Sequence, residues 1–345
     1  MILPIYNVAP YLERAVDSLL SQTYENFEVF LVDDGSTDGS GRICDAYAER
    51  DGRVTALHQK NAGAPTARNA GIKRATGRYL YFMDGDDWAE PHMLERLVEA
   101  AFSADAQLVI AGFAIDTRKS RGGVFRQILE AGARRYDDRV AFRRDAARLF
   151  DQNLLYPPWN KLYSADYIRE KNICFPDTFW DDFPFNLAVI RDVERVVLIP
   201  AAGYHFMRER KESETARYQA GMYEKREEEH GWMLELYAHW GIADGASREM
   251  IARRHAERAV GCIENLTCAA SPLTGRARRE RVAAMLANPR LQESLALARP
   301  RSLMMRCMLL PLKWRRAGLS VLLGRLISFV KAHGGGLFAR LKARR

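Results

Sequence analysis

The sequence predicts an α/β protein: a mixed, mostly parallel sheet flanked by helices, followed by a helical C-terminal extension. Three observations predict it. Short apolar runs alternate with segments of 3.6-residue periodicity from the first residue. Several of those runs end in carboxylates and turn residues, at the strand ends where an open α/β sheet binds ligands. From about residue 216 only helical periodicity remains.

The elements follow in order. Met1-Ile2-Leu3-Pro4-Ile5-Tyr6-Asn7 is a short strand with almost no lead-in, as if clipped at its start. Leu12, Ala15, Val16, Leu19 and Leu20 give helical spacing. Phe27 to Val32 is a second strand, ending in Asp33-Asp34-Gly35-Ser36-Thr37-Asp38, and a helix through Ile43, Ala46 and Tyr47 follows. Val54 to Leu57 is a third strand. Asn61-Ala62-Gly63 turns into a helix that opens at Thr66-Ala67-Arg68-Asn69 and closes at Gly77. Tyr79-Leu80-Tyr81-Phe82-Met83 reads as a buried strand ending in Asp84-Gly85-Asp86-Asp87. Pro91 to Phe102 is a helix and Leu108 to Phe113 a strand; 116–139 reads as loop or hairpin and 140–155 as helix. Val196 to Ile199 is a strand, and Tyr204 to Thr215 is a basic, hydroxyl-bearing segment.

The composition is that of a globular protein, and 345 residues can bury a sizeable core in more than one unit. Five scattered cysteines suit reduced thiols in the cytosol, and Cys262 and Cys268 lack zinc spacing. No signal peptide is read, because residue 1 leads straight into a strand. The net charge of +8 conceals an asymmetry. Residues 301–345 hold 11 Lys and Arg and no acid; the remaining 41 basic and 44 acidic residues leave 1–300 at −3. No glycine-rich dinucleotide fingerprint follows the first strand, and no Walker-type phosphate loop occurs.

Three acids in four positions at a strand end repel one another, and a divalent cation would offset that cost. Mg²⁺ and Mn²⁺ prefer oxygen ligands and bridge carboxylates to phosphates. Asp84-Gly85-Asp86-Asp87 also suits a polar turn. Four motifs in order weigh against that: Pro4-Ile5-Tyr6-Asn7, Val32 to Asp38, Asn61-Ala62-Gly63 with Ala67-Arg68-Asn69, and Met83 to Asp87. Over roughly residues 2–215 the chain resembles a family 2 glycosyltransferase with the Rossmann-like GT-A nucleotide-sugar-binding fold.

The resemblance implies a set of roles. Asp86 ligates Mn²⁺ or Mg²⁺, Asp84 holds ribose or a metal-bound water, and Asp87 braces them. One of Asp33 and Asp34 contacts the base, and which one stays open. Pro4, Tyr6 and Asn7 lie beside the donor, with Tyr6 as an aromatic wall. Arg68 faces phosphate or braces an acid. Asp182 is the base that takes the acceptor proton, and Asp181 stands where the family carries Glu. Trp159 and Lys161 belong to a segment below the acceptor, and Trp159 or Trp180 stacks on a sugar. His205 and Arg210 belong to a loop over the diphosphate, with His205 a candidate metal or phosphate contact. Core, turn and surface roles remain open for these residues.

The tail holds Leu303 to Leu310 and Leu319 to Val330, apolar but broken by Pro311, Lys313, Arg315, Arg316 and Arg325. It reads as amphipathic helices lying on an anionic membrane rather than spanning it. The alternatives are a helix packed on the body and a nucleic-acid arm, the second disfavoured by the long aliphatics. The expected organisation is a catalytic domain over 1–215, a helical extension over 216–300 and a membrane-associating tail over 301–345. The expected protein is cytoplasmic and peripheral on the inner face of the cell membrane. It is expected to move a hexose or N-acetylhexosamine from a UDP-sugar to a lipid-linked glycan by an inverting, metal-dependent reaction. The rivals are a non-catalytic nucleotide-sugar-binding scaffold and a nucleotidyltransferase, though residues 7–11 lack the phosphate loop that the second needs.

Overall fold

The computed structural model describes residues 1–118, 122–178, 180–200, 203–208 and 218–333. The chain divides into two units, Met1–Glu209 and Arg210–Arg345.

The first unit begins as the alternation predicts. Strands β1 (Ile2–Ile5), β2 (Val29–Asp33) and β3 (Val54–His58) pair in parallel in the order β1-β2-β3. Helices α1 (Ala9–Leu20), α2 (Ser40–Arg50) and α3 (Ala64–Arg74) make the crossovers. Every residue of β2 is buried, as expected for a parallel strand covered on both faces. A bridge between Ile2 and Phe82 joins β1 to the end of β4 (Tyr79–Tyr81).

From β4 the sheet continues as β4-β10-β6-β11-β9, with β6 Leu108–Ala111, β9 Arg134–Tyr136, β10 Lys161–Ser164 and β11 Val196–Ile199. β6 and β11 are parallel, while β10 runs antiparallel to both β4 and β6. A second small sheet has the order β5-β12-β7-β8, from β5 (Trp88–Ala89), β7 (Phe113–Arg118), β8 (Val124–Leu129) and β12 (Tyr204–Arg208). The expected single strand over 108–113 therefore breaks after Ala111, and its two halves join different sheets. α4 (Met93–Ser103), α5 (Arg139–Asp151), α6 (Ala165–Glu170) and α7 (Asp182–Asp192) complete the unit. α5 starts where Asp138 accepts hydrogen bonds from Val140 and Ala141 N–H. Phe82, Tyr163, Phe175 and Phe185 form an aromatic cluster, with Phe175 and Phe185 stacked at 3.7 Å and Phe82 edge-on to both.

The second unit is helical: α8 (Met222–Trp240), α9 (Gly245–Thr267), α10 (Gly275–Ala287), α11 (Pro289–Leu297), α12 (Leu303–Lys313) and α13 (Ala317–His333). Asp244, Thr274, Asn288 and Ser302 cap four of them. The described part of the tail is not a separate segment. Met305, Met308, Leu309, Leu312 and Ile327 share one core with α9, α10 and α11. Residues 334–345 lie outside the described residues.

Candidate active site

The site is built at the carboxyl ends of β1, β2 and β4. The turn after β1 and the loop after β2 are stitched together. Asn7 sits at φ 52° and its N–H donates to Ser36 Oγ, while its Oδ1 accepts from Thr37 N–H. Val8 N–H donates to Ser40 Oγ and Ala9 N–H to Asp38. Tyr6 projects beside this seam and is 48% exposed, an aromatic face open to a ligand. Gly35 has φ +75°, and a Cβ there would lie 2.9 Å from Asn61 N. Only glycine lets the β2 loop approach the β3–α3 loop so closely.

Asp33 and Asp34 shape that cleft. Asp34 accepts from Gln59 Nε2 at 2.7 Å and from the N–H groups of Ala62 and Gly63 at 2.9 and 2.8 Å. Asp33 accepts from Ser36 N–H and pairs with His58 Nδ1 at 3.0 Å, while His58 Nε2 pairs with Asp45. Burial opposes ionisation of Asp33, but the bonds from Ser36 and His58 outweigh it and hold its pKa below the usual value. The same bonds, first to Asp33 and then to Asp45, raise that of His58. Both aspartates are engaged by protein donors.

Arg68 is the centre of the site. It is buried in α3, and its two terminal nitrogens reach three carboxylates. Nη2 donates to Asp84 at 2.9 Å; Nη1 donates to Asp181 at 2.7 Å and lies 3.1 Å from Asp182. The neighbouring Asn69 donates to Phe175 O and accepts from Phe175 N–H, which ties α3 to the segment leading to Asp181. Arg68 also lies over the Phe175 ring at 5.1 Å. Burial disfavours the guanidinium, but the charges of Asp182, Asp181 and Asp84 hold its pKa above the usual value.

Asp182 opens α7, where Asn186, one turn on, donates to its carbonyl and accepts from Tyr163 Oη–H. Burial pushes the Asp182 pKa up to about 7; Arg68 opposes this, and the neighbouring Asp181 and Asp84 add to it. A carboxyl near neutrality suits a general base. Trp180 just precedes the pair at φ +60°, a conformation rare for a bulky residue.

The three acids after β4 point in different directions. Asp84 faces Arg68. Asp87 is buried and accepts from Tyr204 Oη–H and Met207 N–H, so it braces the loop and does not reach a ligand. Burial, with Asp86 and Asp84 nearby, raises its pKa well above the ordinary value. Asp86 is partly exposed, and its carbonyl accepts from Arg14 Nη2. Among the described residues no three His, Cys, Asp or Glu side chains converge as a metal-ligand set. The charge balance nevertheless fits a divalent cation: Asp84, Asp181 and Asp182 share one guanidinium, and Asp86 adds further negative charge. Asp84 and Asp86 carry hard oxygen donors of the kind that Mg²⁺ or Mn²⁺ prefers.

Three residues expected to touch ligands are structural. Lys161 is 0% exposed, and its ammonium donates to Leu154 O, Pro157 O and Asn160 Oδ1. Burial drives its pKa well below the ordinary lysine value, against the charge of Asp182. His205 is 1% exposed; Nδ1 pairs with Asp116 and Nε2 with Glu90, and the ring stacks on Trp88 at 3.8 Å, so neither nitrogen is left for a metal. Trp159 is buried parallel to Tyr204 and Phe206 with Phe113 edge-on, and it offers no open platform. Arg210 lies outside the described residues. Sequence reasoning missed Arg14, Asn69, Tyr204 and Asn186 as supports. Asn69 stood within the Ala67-Arg68-Asn69 motif, and nothing marked the other three.

The model of glycosyl transferase family 2 matches residues 1–170. The uncharacterized glycosyltransferase EpsJ of Bacillus subtilis is 35% identical over 252 residues, 72% of this chain and 72% of EpsJ. The glycosyltransferase GlyG of Streptococcus pneumoniae serotype 4 is 46% identical over 114 residues, 33% of this chain and 38% of GlyG. Among solved structures, S. aureus TarS 1–349 is similar over 96% of this chain and 90% of its own, with TM-score 0.62 and 18% identity. The same TarS fragment in complex with UDP-GlcNAc gives TM-score 0.64 and 17% identity, covering 96% of this chain and 91% of its own. At such identities the likeness to TarS speaks to the fold alone.

Proposed function

The chain belongs to glycosyltransferase family 2, and we propose that it performs inverting transfer of a hexose or N-acetylhexosamine from a UDP-sugar to a glycan hydroxyl. The observation that carries this reading is the single buried guanidinium of Arg68, shared by Asp84 on the donor side and by Asp181 and Asp182. It holds a donor-side acid and a near-neutral base in one cluster. The UDP-GlcNAc bound by TarS supports a UDP-sugar donor.

In this reading Tyr6 flanks the base, and Asp33 or Asp34 accepts from its N–H. Asp182 takes the proton of the acceptor hydroxyl as that oxygen attacks the anomeric carbon. The bond from the anomeric carbon to the diphosphate breaks on the opposite face, and UDP departs. Asp181, held by Arg68, keeps the guanidinium oriented. Trp180, strained beside the base, is the candidate platform for an acceptor sugar. Asp86 and Asp84 would hold Mn²⁺ or Mg²⁺, which supplies neutralisation of the charge developing on the leaving diphosphate. The acceptor we favour is a lipid-linked glycan, with the enzyme peripheral on the cytoplasmic face of a membrane, because the acid-free basic tail suits anionic lipid.

Thermal-shift measurements with UDP, GDP, TDP and CMP, each with and without Mn²⁺, test the donor. Stabilisation by UDP only with metal, lost in Asp86→Ala, is the expected result. Stabilisation by another nucleotide, or unchanged metal dependence in Asp86→Ala, overturns the donor or the metal assignment respectively.

A further inference from the structure

Helices α12 and α13 each have a face that the other described residues of their unit leave exposed. On α13 the inward positions are Ser320, Gly324 and Ile327, spaced four and three residues apart. A Cβ on Gly324 would lie 2.4 Å from Thr267 Oγ1 and 3.0 Å from Ile263 Cγ2, so α13 lies hard against α9 at this point. On α12 the inward positions are Met305, Met308, Leu309 and Leu312.

The opposite faces are apolar as well. Leu319, Leu322, Leu326 and Phe329 line one side of α13 and are 51–64% exposed. Leu303, Leu310 and Trp314 continue the pattern on α12 and its C-terminal end, at 42–75% exposed. Isolated exposed leucines need no explanation, but seven large side chains on two consecutive helices do. Arg306, Lys313, Arg315, Arg316 and Arg325 are exposed among them, and the chain carries no Asp or Glu beyond Glu293. Among the described residues no helix is long and apolar enough to cross a membrane.

We infer that the outward faces of α12 and α13 form a docking surface for an anionic lipid bilayer, on which both helices lie in the plane of the interface. The inference deepens the membrane part of the function proposed above and rests on it. The chemistry selects this occupant. An apolar stripe that shares its two helices and their junction with five exposed cations, and meets a carboxylate only where Ser328 donates to Glu264 of α9 among the described residues, matches acyl chains beneath anionic headgroups. Trp314, at the junction of the helices, has the amphipathic ring favoured at headgroup depth. A second copy fits poorly, because a self-complementary interface would set the same cations against one another. Since the inward faces are held by α9, α10 and α11, the hairpin binds lipid as a folded part of the unit and not as a tail that folds on contact.

Co-flotation of the full chain with phosphatidylcholine vesicles, with and without about 30 mol% phosphatidylglycerol, is the test. The wild type floats with the anionic vesicles and stays behind with the neutral ones. Leu322→Gln/Leu326→Gln alters only outward side chains and lowers partitioning by about tenfold or more. Arg315→Gln/Arg316→Gln lowers it by about fivefold per residue, and 0.5 M salt removes most of that difference. UDP binding, measured in parallel, stays unchanged in both variants. No flotation of a wild type that binds UDP overturns this inference and leaves the donor reading intact; flotation without UDP binding does the reverse. Equal partitioning of wild type and leucine variant overturns it, as does a dimer in light scattering that the leucine variant abolishes.

Discussion

Replacing Arg68 by Met should move the acid limb of the transfer reaction. In the wild type Asp182 lies 3.1 Å from Nη1 and titrates near pH 7. At an effective dielectric of about 20, a pair at that distance is worth about 5 kcal/mol. The Asp182 side chain is 28% exposed, and solvent screening brings this to about 2–3 kcal/mol, or roughly two pH units. The sign follows from the form that acts. A general base works as the carboxylate, and the guanidinium favours that form, so removing it raises the pKa. At pH 7 the reactive fraction falls from about one half to about one in a hundred, and activity recovers near pH 9. The assay is single-turnover transfer across pH 5–10 at saturating donor and metal. Losing a buried charge shared by three acids also costs about 3–5 kcal/mol of stability. Arg68→Lys retains a charge and should give a smaller displacement of the same sign. A limb that stays near pH 7 in a folded Arg68→Met protein refutes both the base assignment and the coupling.

Other outcomes follow from the same geometry. Asn69→Ala removes both bonds to Phe175 and should cost about 1–3 kcal/mol in urea unfolding, lowering turnover while UDP affinity holds. Lys161→Met leaves the Leu154 and Pro157 carbonyls without their ammonium donor; the unfolding midpoint should fall while the KM values for donor and acceptor stay put. Trp180→Ala should raise the acceptor KM by about tenfold, with donor binding unchanged in the thermal-shift assay.

The first half of the fold was legible because its signals are local. Strands β1 to β4 are short apolar runs, each helix between them carries its own periodicity, and the acids sit at strand ends where the chain turns. β10 was not read as a strand. Its four residues begin with a lysine, and only the structure shows Leu154 O, Pro157 O and Asn160 Oδ1 accepting hydrogen bonds from its buried Nζ. His205 misled for the related reason that a histidine among basic residues looks available. Its partner Asp116 lies 89 positions earlier, and Arg126 meets that same carboxylate from the adjacent strand β8. The tail's periodicity was read as amphipathic and could not reveal two apolar sides, since Gly324 and Ser320 do not look like core residues until α9 stands against them.

The span between Arg68 and its partners also has a meaning in time. Arg68 precedes Asp181 by 113 residues. At a synthesis rate of about 5–20 residues per second, roughly 6–23 s separate the emergence of the cation from that of the two acids it is built to hold. During that interval Asp84 is the only one of its three carboxylates already made. Of the three carboxylates that meet Arg68, Asp84 is therefore the first to be made, and Asp181 and Asp182 are the last pieces of the cluster to emerge.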